Sequence, residues 1–158
     1  MPISLEEFLN NASLPEMQVQ ILPDPTLVFT RNKLAEAIEE QPATNRRAAS
    51  GRGEIMKQLE AIDQQIKDTA VEFRLRALSP EWLDENRELA TKAASDETQD
   101  VHFQLAMILE SLQEPKVDSL DDAKRLRNAI GVPQWKLLMD AIAKLTWEEH
   151  PIPFARKI

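Results

Sequence analysis

The residues best suited to acid–base chemistry are few, and their spacing does not assemble a catalytic site. Asp100 stands two residues before His102, close enough to orient an imidazole. No serine, threonine or second base lies at a recognisable spacing from this pair, so catalysis lacks a further partner. We therefore interpret His102 as a helix-surface residue. His150, next to Pro151 near the C-terminus, is interpreted as structural or surface-exposed.

Adjacent carboxylates are the second candidates, because pairs of Asp or Glu bind metals and transfer protons. Asp121 and Asp122 are neighbours, as are Glu148 and Glu149. Neighbouring side chains on a helix diverge by about 100°, whereas a shared site needs residues three or four apart. Asp121 and Asp122 follow Ser119, a predicted N-cap, where they complement the helix dipole. We predict no catalytic residue, no metal site and no cofactor.

Two further charge clusters have simple interpretations. Four acidic residues share a helix face and predict a solvated surface, with docking of a basic partner as the alternative; they are Glu81, Asp84, Glu85 and Glu88. Three arginines lie near serine and glycine and could touch phosphate, but no aromatic residues are interleaved for base stacking; they are Arg46, Arg47 and Arg52. We predict that the arginines lie in a flexible loop tip.

Composition excludes several classes of protein. The 158 residues correspond to one domain, or to one domain with a small appendage. Without cysteine there is no disulfide or thiolate metal site, and three glycines leave no phosphate-binding loop. The net charge of -8 argues against general nucleic-acid binding, and no apolar run reaches the roughly 18 residues of a membrane span. We expect an intracellular protein that works by binding, with neither nucleic acid nor membrane as its partner.

The elements that would carry these residues predict an α+β fold that is mainly α. Residues 1–78 are predicted as a mixed α/β N-terminal portion. Its predicted elements, in order, are a short helix capped by Ser4, a strand at 17–22, a second short strand at 27–29, a helix at 31–40 capped by Thr30, a break at 41–45, a flexible stretch at 46–53 and a helix beginning at Glu54.

An apolar seam in the second long helix indicates that two helices pack together. Ile55, Leu59, Ile62 and Ile66 follow one another at spacings of four, three and four, and Ala70 or Thr69 continues the seam. That spacing is typical of the narrow contact between paired helices. With the preceding helix it predicts an antiparallel helical hairpin. The same seam could join two chains, so a homo-oligomer stays open.

The clearest strand pattern follows the hairpin. Val71, Phe73, Leu75 and Ala77 alternate with charged residues, so a strand places the apolar groups on one face. We predict that this strand pairs with the strand at 17–22. Because a two-stranded ribbon is marginal alone, the pair must pack against helices or further strands.

Residues 79–147 are predicted to form a C-terminal bundle of four helices, and residues 148–158 a flexible tail. The predicted helix starts and stops are Ser79, Asp96 or Thr98, Pro115, Asp118 or Ser119, Gly131 and Pro133.

Several runs of the sequence carry a family resemblance. Residues 71–78 are VEFRLRAL and are followed by Trp82; FQLA stands at 103–106, Glu-Pro at 114–115 and WKLL at 135–138. This strand-then-tryptophan pattern and the later helices resemble tail assembly chaperones of long-tailed, siphovirus-type bacteriophages of actinobacteria. The resemblance covers about residues 54–145, most of the chain.

The resemblance implies a non-catalytic assembly factor of the host cytoplasm. Members of this family bind the tape measure protein, keep it soluble, help to recruit the major tail tube protein and are absent from the mature virion. Two other functions stay open: a structural virion component, such as a head–tail connector or minor tail protein, and a helical adaptor outside phages.

The residues expected to contact a partner are bulky or basic ones. Trp82, Phe103 and Trp135 are predicted to anchor a partner groove on the bundle. Arg74 and Arg76 share a strand face that could form an exposed binding edge. The full predicted set is Phe73, Arg74, Arg76, Trp82, Phe103, Trp135, Leu138 and Trp147.

Overall fold

The computed structural model of the chain describes residues 2–40, 46–151 and 153, without the side chains of 46–50. Within these residues the fold is mainly helical α+β, with seven helices and a three-stranded antiparallel sheet, which confirms the predicted class. In chain order the elements are α1 (Leu5–Asn11), β1 (Glu16–Ile21), α2 (Thr26–Glu40), α3 (Arg46–Thr69), β2 (Val71–Arg76), α4 (Pro80–Glu85), α5 (Arg87–Ala93), α6 (Glu97–Ser111), β3 (Leu112–Glu114) and α7 (Leu120–Trp147).

The sheet has β2 at its centre, in the order β1-β2-β3. β1 pairs with β2 antiparallel, from Glu16 opposite Arg76 to Ile21 opposite Val71, as predicted. Of the described strands, β1 has β2 as its single neighbour, so the other side of β1 is a sheet edge.

The third strand was not predicted from the sequence. We expected the helix that starts at Asp96 or Thr98 to continue to Pro115, but α6 ends at Ser111 and Leu112 is extended, with φ -75° and ψ 117°. The Ser111 hydroxyl donates a hydrogen bond of 2.6 Å to the Arg76 carbonyl of β2. This bond ties the end of α6 to the central strand, and the three residues that follow pair with β2 as β3.

The core forms between the sheet and the last two long helices. Leu75 of β2 is fully buried, together with Ile108 of α6 and with Leu138 and Ile142 of α7. Burial of each such aliphatic side chain stabilises the fold by about 1.5–3 kcal/mol. These contacts explain why a strand pair that is marginal alone is held in place.

α2 and α3 pack against each other, as the predicted hairpin requires. Arg31 Nε of α2 lies 2.7 Å from Asp63 Oδ1 of α3. The predicted seam from Ile55 to Ala70 is half-buried along its length. The seam is therefore used, at least in part, within one chain.

Two boundaries of the hairpin differ from prediction. α2 begins at Thr26 rather than after Thr30, so residues 27–29 are helical and not a strand. Asp24 is the reason, because its Oδ1 accepts a hydrogen bond of 3.1 Å from the Thr26 N–H and so caps the first turn. α3 begins at Arg46, eight residues before Glu54, where a flexible stretch was expected. The predicted break at 41–45 lies outside the described residues.

The helices after β2 follow the predicted caps with one interruption. Ser79 Oγ accepts a hydrogen bond from the Trp82 N–H at 3.1 Å, as expected for a cap. The single helix expected next is divided at Asn86 (φ -104°, ψ 13°), whose side-chain amide donates to the Trp82 carbonyl at 2.8 Å. α7 contains the predicted stop at Gly131, after which the helix resumes.

The core draws on both predicted portions of the chain. Ile21 and Phe73 come from residues 1–78, while Ile108 and Leu138 come from residues 79–147, and all four belong to one cluster. The division after residue 78 stays a prediction. No helix in the described ranges is long and apolar enough to cross a membrane.

Gly131→Ala tests the backbone turn within α7. Gly131 has φ 82° and ψ 168°, a region that glycine alone occupies without strain. The atom nearest to an added Cβ is Pro133 Cδ at 3.9 Å, so the penalty is strain rather than a clash. We expect the free energy of unfolding in urea to fall by about 1–3 kcal/mol. Gly53→Ala is the control: it lies within α3 with nothing within 4 Å, and it should raise that free energy by about 0.5–1 kcal/mol. Equal effects of the two substitutions would contradict this account.

Candidate functional site

Asp100 has a structural partner in the fold. Its carboxylate accepts a hydrogen bond from Gln104 Nε2 at 3.2 Å, and Gln104 Oε1 accepts one from the indole N–H of Trp135 at 2.7 Å. His102 is exposed on α6, as we interpreted it from the sequence. Asp100 thus orients the amide that satisfies a buried indole.

Two of the other charged candidates, Asp122 and His150, have local partners. The Asp122 N–H donates to Ser119 Oγ at 3.1 Å, and the Asp122 carboxylate pairs with Arg125 at 3.4 Å. His150 Nε2 lies 2.9 Å from the Lys144 carbonyl oxygen on the surface. Within residues 2–40, 46–151 and 153, no group of three or more His, Cys, Asp or Glu could hold a metal ion.

Three of the predicted contact residues lie in the core. Phe73 of β2 is 5% exposed, Trp135 of α7 is 4% exposed and Leu138 is fully buried. Their side chains support the surface from below rather than forming it. A direct contact between them and a partner stays a prediction.

Trp82 and Phe103 are brought together, as a shared anchor site requires. Their ring centroids are 6.0 Å apart with a 31° interplanar angle. Both residues are half-buried and pack against the core. Trp135, predicted as the third anchor, lies in the core.

Arg74 and Arg76 do not form an exposed binding edge, because they lie on the central strand where β3 pairs with it. The Arg74 guanidinium stands between Glu16 and Glu114, at 3.9 Å and 3.6 Å. Partly exposed ion pairs of this kind contribute at most about 1 kcal/mol. Arg76 lines a polar hollow with Glu110 and other residues of the β3 region. The salt-bridged face that we held as the alternative is what the structure shows for Arg74.

Trp147 is exposed, as expected for a contact residue, with 56% of its surface accessible. It lines a cavity of about 610 Å³ between β1 and the second half of α7, which we call the edge groove. The apolar walls of the edge groove are Met17, Val19, Leu137, Ala141, Ala143 and Trp147. Asp140, Lys144 and Glu148 add charge along its α7 side.

A second cavity of about 490 Å³ lies where the base of the α2–α3 hairpin meets α7, and we call it the hairpin pocket. None of its lining residues is charged, although 29% of the chain is. Phe29 and Leu137 are 63% and 51% exposed at its mouth. The lining residues are Gln20, Leu22, Pro25, Val28, Phe29, Asn32, Ile66, Ala70, Pro133, Gln134 and Leu137.

Gln134 joins α7 to the end of β1. Its Oε1 accepts a hydrogen bond of 2.7 Å from the Leu22 N–H, and its Nε2 donates to the Leu22 carbonyl at 2.9 Å. Nε2 also lies 3.1 Å from the Ile130 carbonyl of its own helix. The side-chain amide therefore takes the place that a neighbouring strand would have beside Leu22. We call this contact the Gln134 clamp.

Sequence analysis missed Leu22, Phe29 and Gln134. One signal was available for Gln134, which stands four residues before Leu138 on the buried stripe of a helix. A polar residue at such a position predicts a specific hydrogen bond. No local pattern marks Phe29, because its environment is set by α7, more than 100 residues away.

Comparison with known proteins leaves the surface geometry as the main evidence. The chain matches no protein family model, no curated protein and no solved structure.

Gln134→Ala tests the clamp. The substitution leaves the Leu22 N–H and carbonyl without partners at a residue that is 6% exposed. An unsatisfied buried group costs about 1–3 kcal/mol, so we expect a loss of that size in urea unfolding. Gln64→Ala is the matched control, because the Gln64 amide binds Asp68 alone, on the surface of α3, at 2.8 Å. The control should change stability by less than about 0.5 kcal/mol; equal losses would show that the clamp has no special role.

Proposed function

We propose that this chain is a non-catalytic tail assembly chaperone of a long-tailed bacteriophage. In this role it binds the tape measure protein in the host cytoplasm, keeps it soluble and helps to recruit the major tail tube protein. It is absent from the mature virion. The observation that carries the proposal is the hairpin pocket, an open and uncharged apolar cavity on an otherwise highly charged protein.

The hairpin pocket suits the side chains of an amphipathic helix. Val28 and Phe29 at its rim are 41% and 63% exposed, so apolar surface is presented to solvent, and the Lys33 ammonium lies 4.9 Å from the centroid of the Phe29 ring. A helix that lays its apolar face into a hydrophobic groove is a common mode of recognition. Long helical proteins expose such faces before they assemble.

The charge of the chain favours the same role. A net charge of -8 resists self-association and keeps a complex in solution. Because no residue that lines the pocket is charged, the net charge that keeps the complex in solution does not interfere with apolar binding in the pocket. The sequence resemblance over residues 54–145 adds the identity of the helical partner, the tape measure protein.

Phe29→Asp tests the pocket in co-expression with the tape measure protein of the same phage. We expect the unmodified chain to keep that protein soluble and to co-purify with it. Phe29→Asp should lower the recovered complex about tenfold or more, because a charge then enters an apolar site. Phe8→Asp is the matched control: Phe8 is 57% exposed on α1, lies outside the pocket and should leave recovery unchanged.

Two outcomes would count against the proposal. One is a tape measure protein that stays soluble without this chain and never co-purifies with it. The other is recovery of this chain in stoichiometric amount from purified particles by mass spectrometry, which favours a structural virion component.

A further inference from the structure

We propose that two copies of this chain form a dimer by pairing their β1 strands antiparallel, edge to edge, with the two-fold axis at Gln18. The inference rests on the free edge of β1 and on the edge groove beside it. It does not depend on the proposed function, which uses the hairpin pocket.

The register of the sheet shows which backbone groups of β1 face outward. The Pro15 carbonyl accepts a hydrogen bond from the Ala77 N–H at 2.9 Å, and this pair continues the β1–β2 register. Hydrogen-bonded pairs alternate along an antiparallel ladder, so positions 17, 19 and 21 point their N–H and C=O groups at β2. The groups of positions 16, 18, 20 and 22 therefore point away from β2.

The Gln134 clamp confirms this direction and closes one end of the edge. Leu22 gives its N–H and carbonyl to Gln134 and not to β2. The outward groups that remain belong to Glu16, Gln18 and Gln20. No strand pairs with them in the part of the chain that the structure describes.

These three residues are arranged symmetrically about Gln18, which makes the edge complementary to itself. In the antiparallel pairing centred there, Gln18 faces Gln18 of the second copy, and Glu16 faces Gln20. The three N–H and three C=O groups of each strand all find partners. A shift of the axis to Val19 would set Glu16 opposite Leu22, whose groups the clamp already holds.

The side chains of β1 suit the same pairing. Met17 and Val19 lie on the α7 side of the sheet and are half-buried, and each faces the other residue type in the second copy. Gln18 and Gln20 lie on the exposed face. No like charges meet directly, because Glu16 is the one charged residue of the strand and it faces Gln20. Cross-strand apolar pairs of this kind stabilise a sheet.

α7 runs antiparallel to β1, which places its charges relative to the axis. Gln134 binds Leu22 at one end, and Thr146 Oγ1 accepts a hydrogen bond of 3.1 Å from the Leu78 N–H at the other. A strand rises about 3.3 Å per residue and a helix about 1.5 Å. Gln18, at the axis, lies four residues from Leu22, which is about 13 Å along β1. The same distance along α7 takes about nine residues from Gln134.

The two-fold axis of the dimer therefore passes α7 between Asp140 and Lys144. Both residues are exposed and both line the edge groove. Nine residues beyond Gln134 is Ala143, so Lys144 lies next to the axis and Asp140 just under one helical turn from it. α7 contacts both β1 and β2, so it lies over this pair of strands, about half a strand spacing from β1. The two-fold axis lies half a spacing beyond β1 on its other side, so each α7 is about 4.8 Å from the axis. The two α7 helices are then about 10 Å apart, a normal packing distance.

A second copy explains the composition of this edge better than an unrelated strand does. Open edges are usually blocked by lysine, proline or a covering loop. β1, EMQVQI, has no lysine or proline, and Pro15, which precedes it, faces β2 and not the open edge. β3, at the other side of the sheet, is three residues long and is followed by Pro115, which has no N–H to donate. One edge is thus protected and the other is left for pairing.

Analytical ultracentrifugation of the full chain tests the dimer. The unmodified chain is expected at twice the mass of one chain. Gln18→Lys and Gln18→Glu should each raise the dimer Kd by about tenfold or more, because like charges meet at the axis. An equal mixture of the two variants should restore the dimer, since opposite charges then face each other. A monomeric unmodified chain, or a dimer that both variants retain, would overturn the proposal.

A single cysteine tests the position of the axis. The chain has no cysteine, so Gln18→Cys introduces one thiol at a site that is exposed in the monomer. Facing Cα atoms in a hydrogen-bonded antiparallel pair are about 5.5 Å apart, and their Cβ atoms are about as far apart, beyond the roughly 3.5–4.5 Å of a relaxed disulfide, so a short bismaleimide cross-linker is used instead of oxidation. The cross-linker should give a covalent dimer on a denaturing gel, and Gln64→Cys on α3 should not. Absence of cross-linking at residue 18, or equal cross-linking at residue 64, would contradict the proposed axis.

Phe29→Asp also distinguishes the hairpin pocket from the β1 edge. Phe29→Asp should keep the dimer mass, because Phe29 lies in the hairpin pocket and outside the β1 edge. Circular dichroism and urea unfolding establish that each variant is folded before its mass is interpreted. If Phe29→Asp instead gave a monomer, the dimer would use the hairpin pocket and the β1 pairing would be wrong.

Discussion

Leu75 and Phe73 of β2 are buried under helices from the C-terminal half, and this contact constrains the position of the other elements. β1 is held in place by its ladder to β2. α6 must stop at Ser111, where its hydroxyl binds the β2 backbone. α7 is interrupted at Gly131, with φ 82° and ψ 168°, and it contacts both β1 and β2. A small sheet is thus made stable by helices that are distant in sequence.

Both candidate surfaces arise where α7 meets the N-terminal elements. The buried side of α7 covers the apolar face of the sheet, while Leu137 and Trp147 remain exposed along β1. Leu137 lines the edge groove and the hairpin pocket alike, so the two cavities are neighbours separated by the Gln134 clamp. The clamp therefore has two effects: it fixes the end of β1, and it limits how far another strand can pair along that edge.

Local patterns in the sequence were sufficient for most elements and insufficient for the surfaces. Alternation at residues 71–77 identified β2, and Ser4, Ser79 and Ser119 were identified as caps because capping is a local interaction. β3 was missed because Leu112 fits the apolar side of a helix as well as it fits a short strand. Leu112 is extended next to Ser111, whose hydroxyl donates a hydrogen bond to the Arg76 carbonyl of β2, 35 residues earlier in the chain.

The predicted contact residues show a second reason why sequence patterns did not predict the surfaces. Large apolar side chains serve cores and interfaces equally well, so Trp135 was predicted as a contact residue together with Trp147, although Trp135 is buried and only Trp147 is exposed. Gln134 and Leu22 are 112 residues apart, and only the assembled fold makes them neighbours. Sites built by long-range packing are therefore the part of this molecule that local patterns predict least well.

The unequal edges of the sheet decide what kind of assembly β1 can support. If both edges were open, pairing could continue from one copy to the next and produce fibres. Here Pro115 follows the last residue of β3, and the clamp holds Leu22 at the end of β1, so a single two-fold contact uses the available groups. The net charge of -8 further disfavours contacts outside that short, uncharged centre. In the dimer that we propose, pairing through β1 therefore ends at two copies, with a hairpin pocket in each.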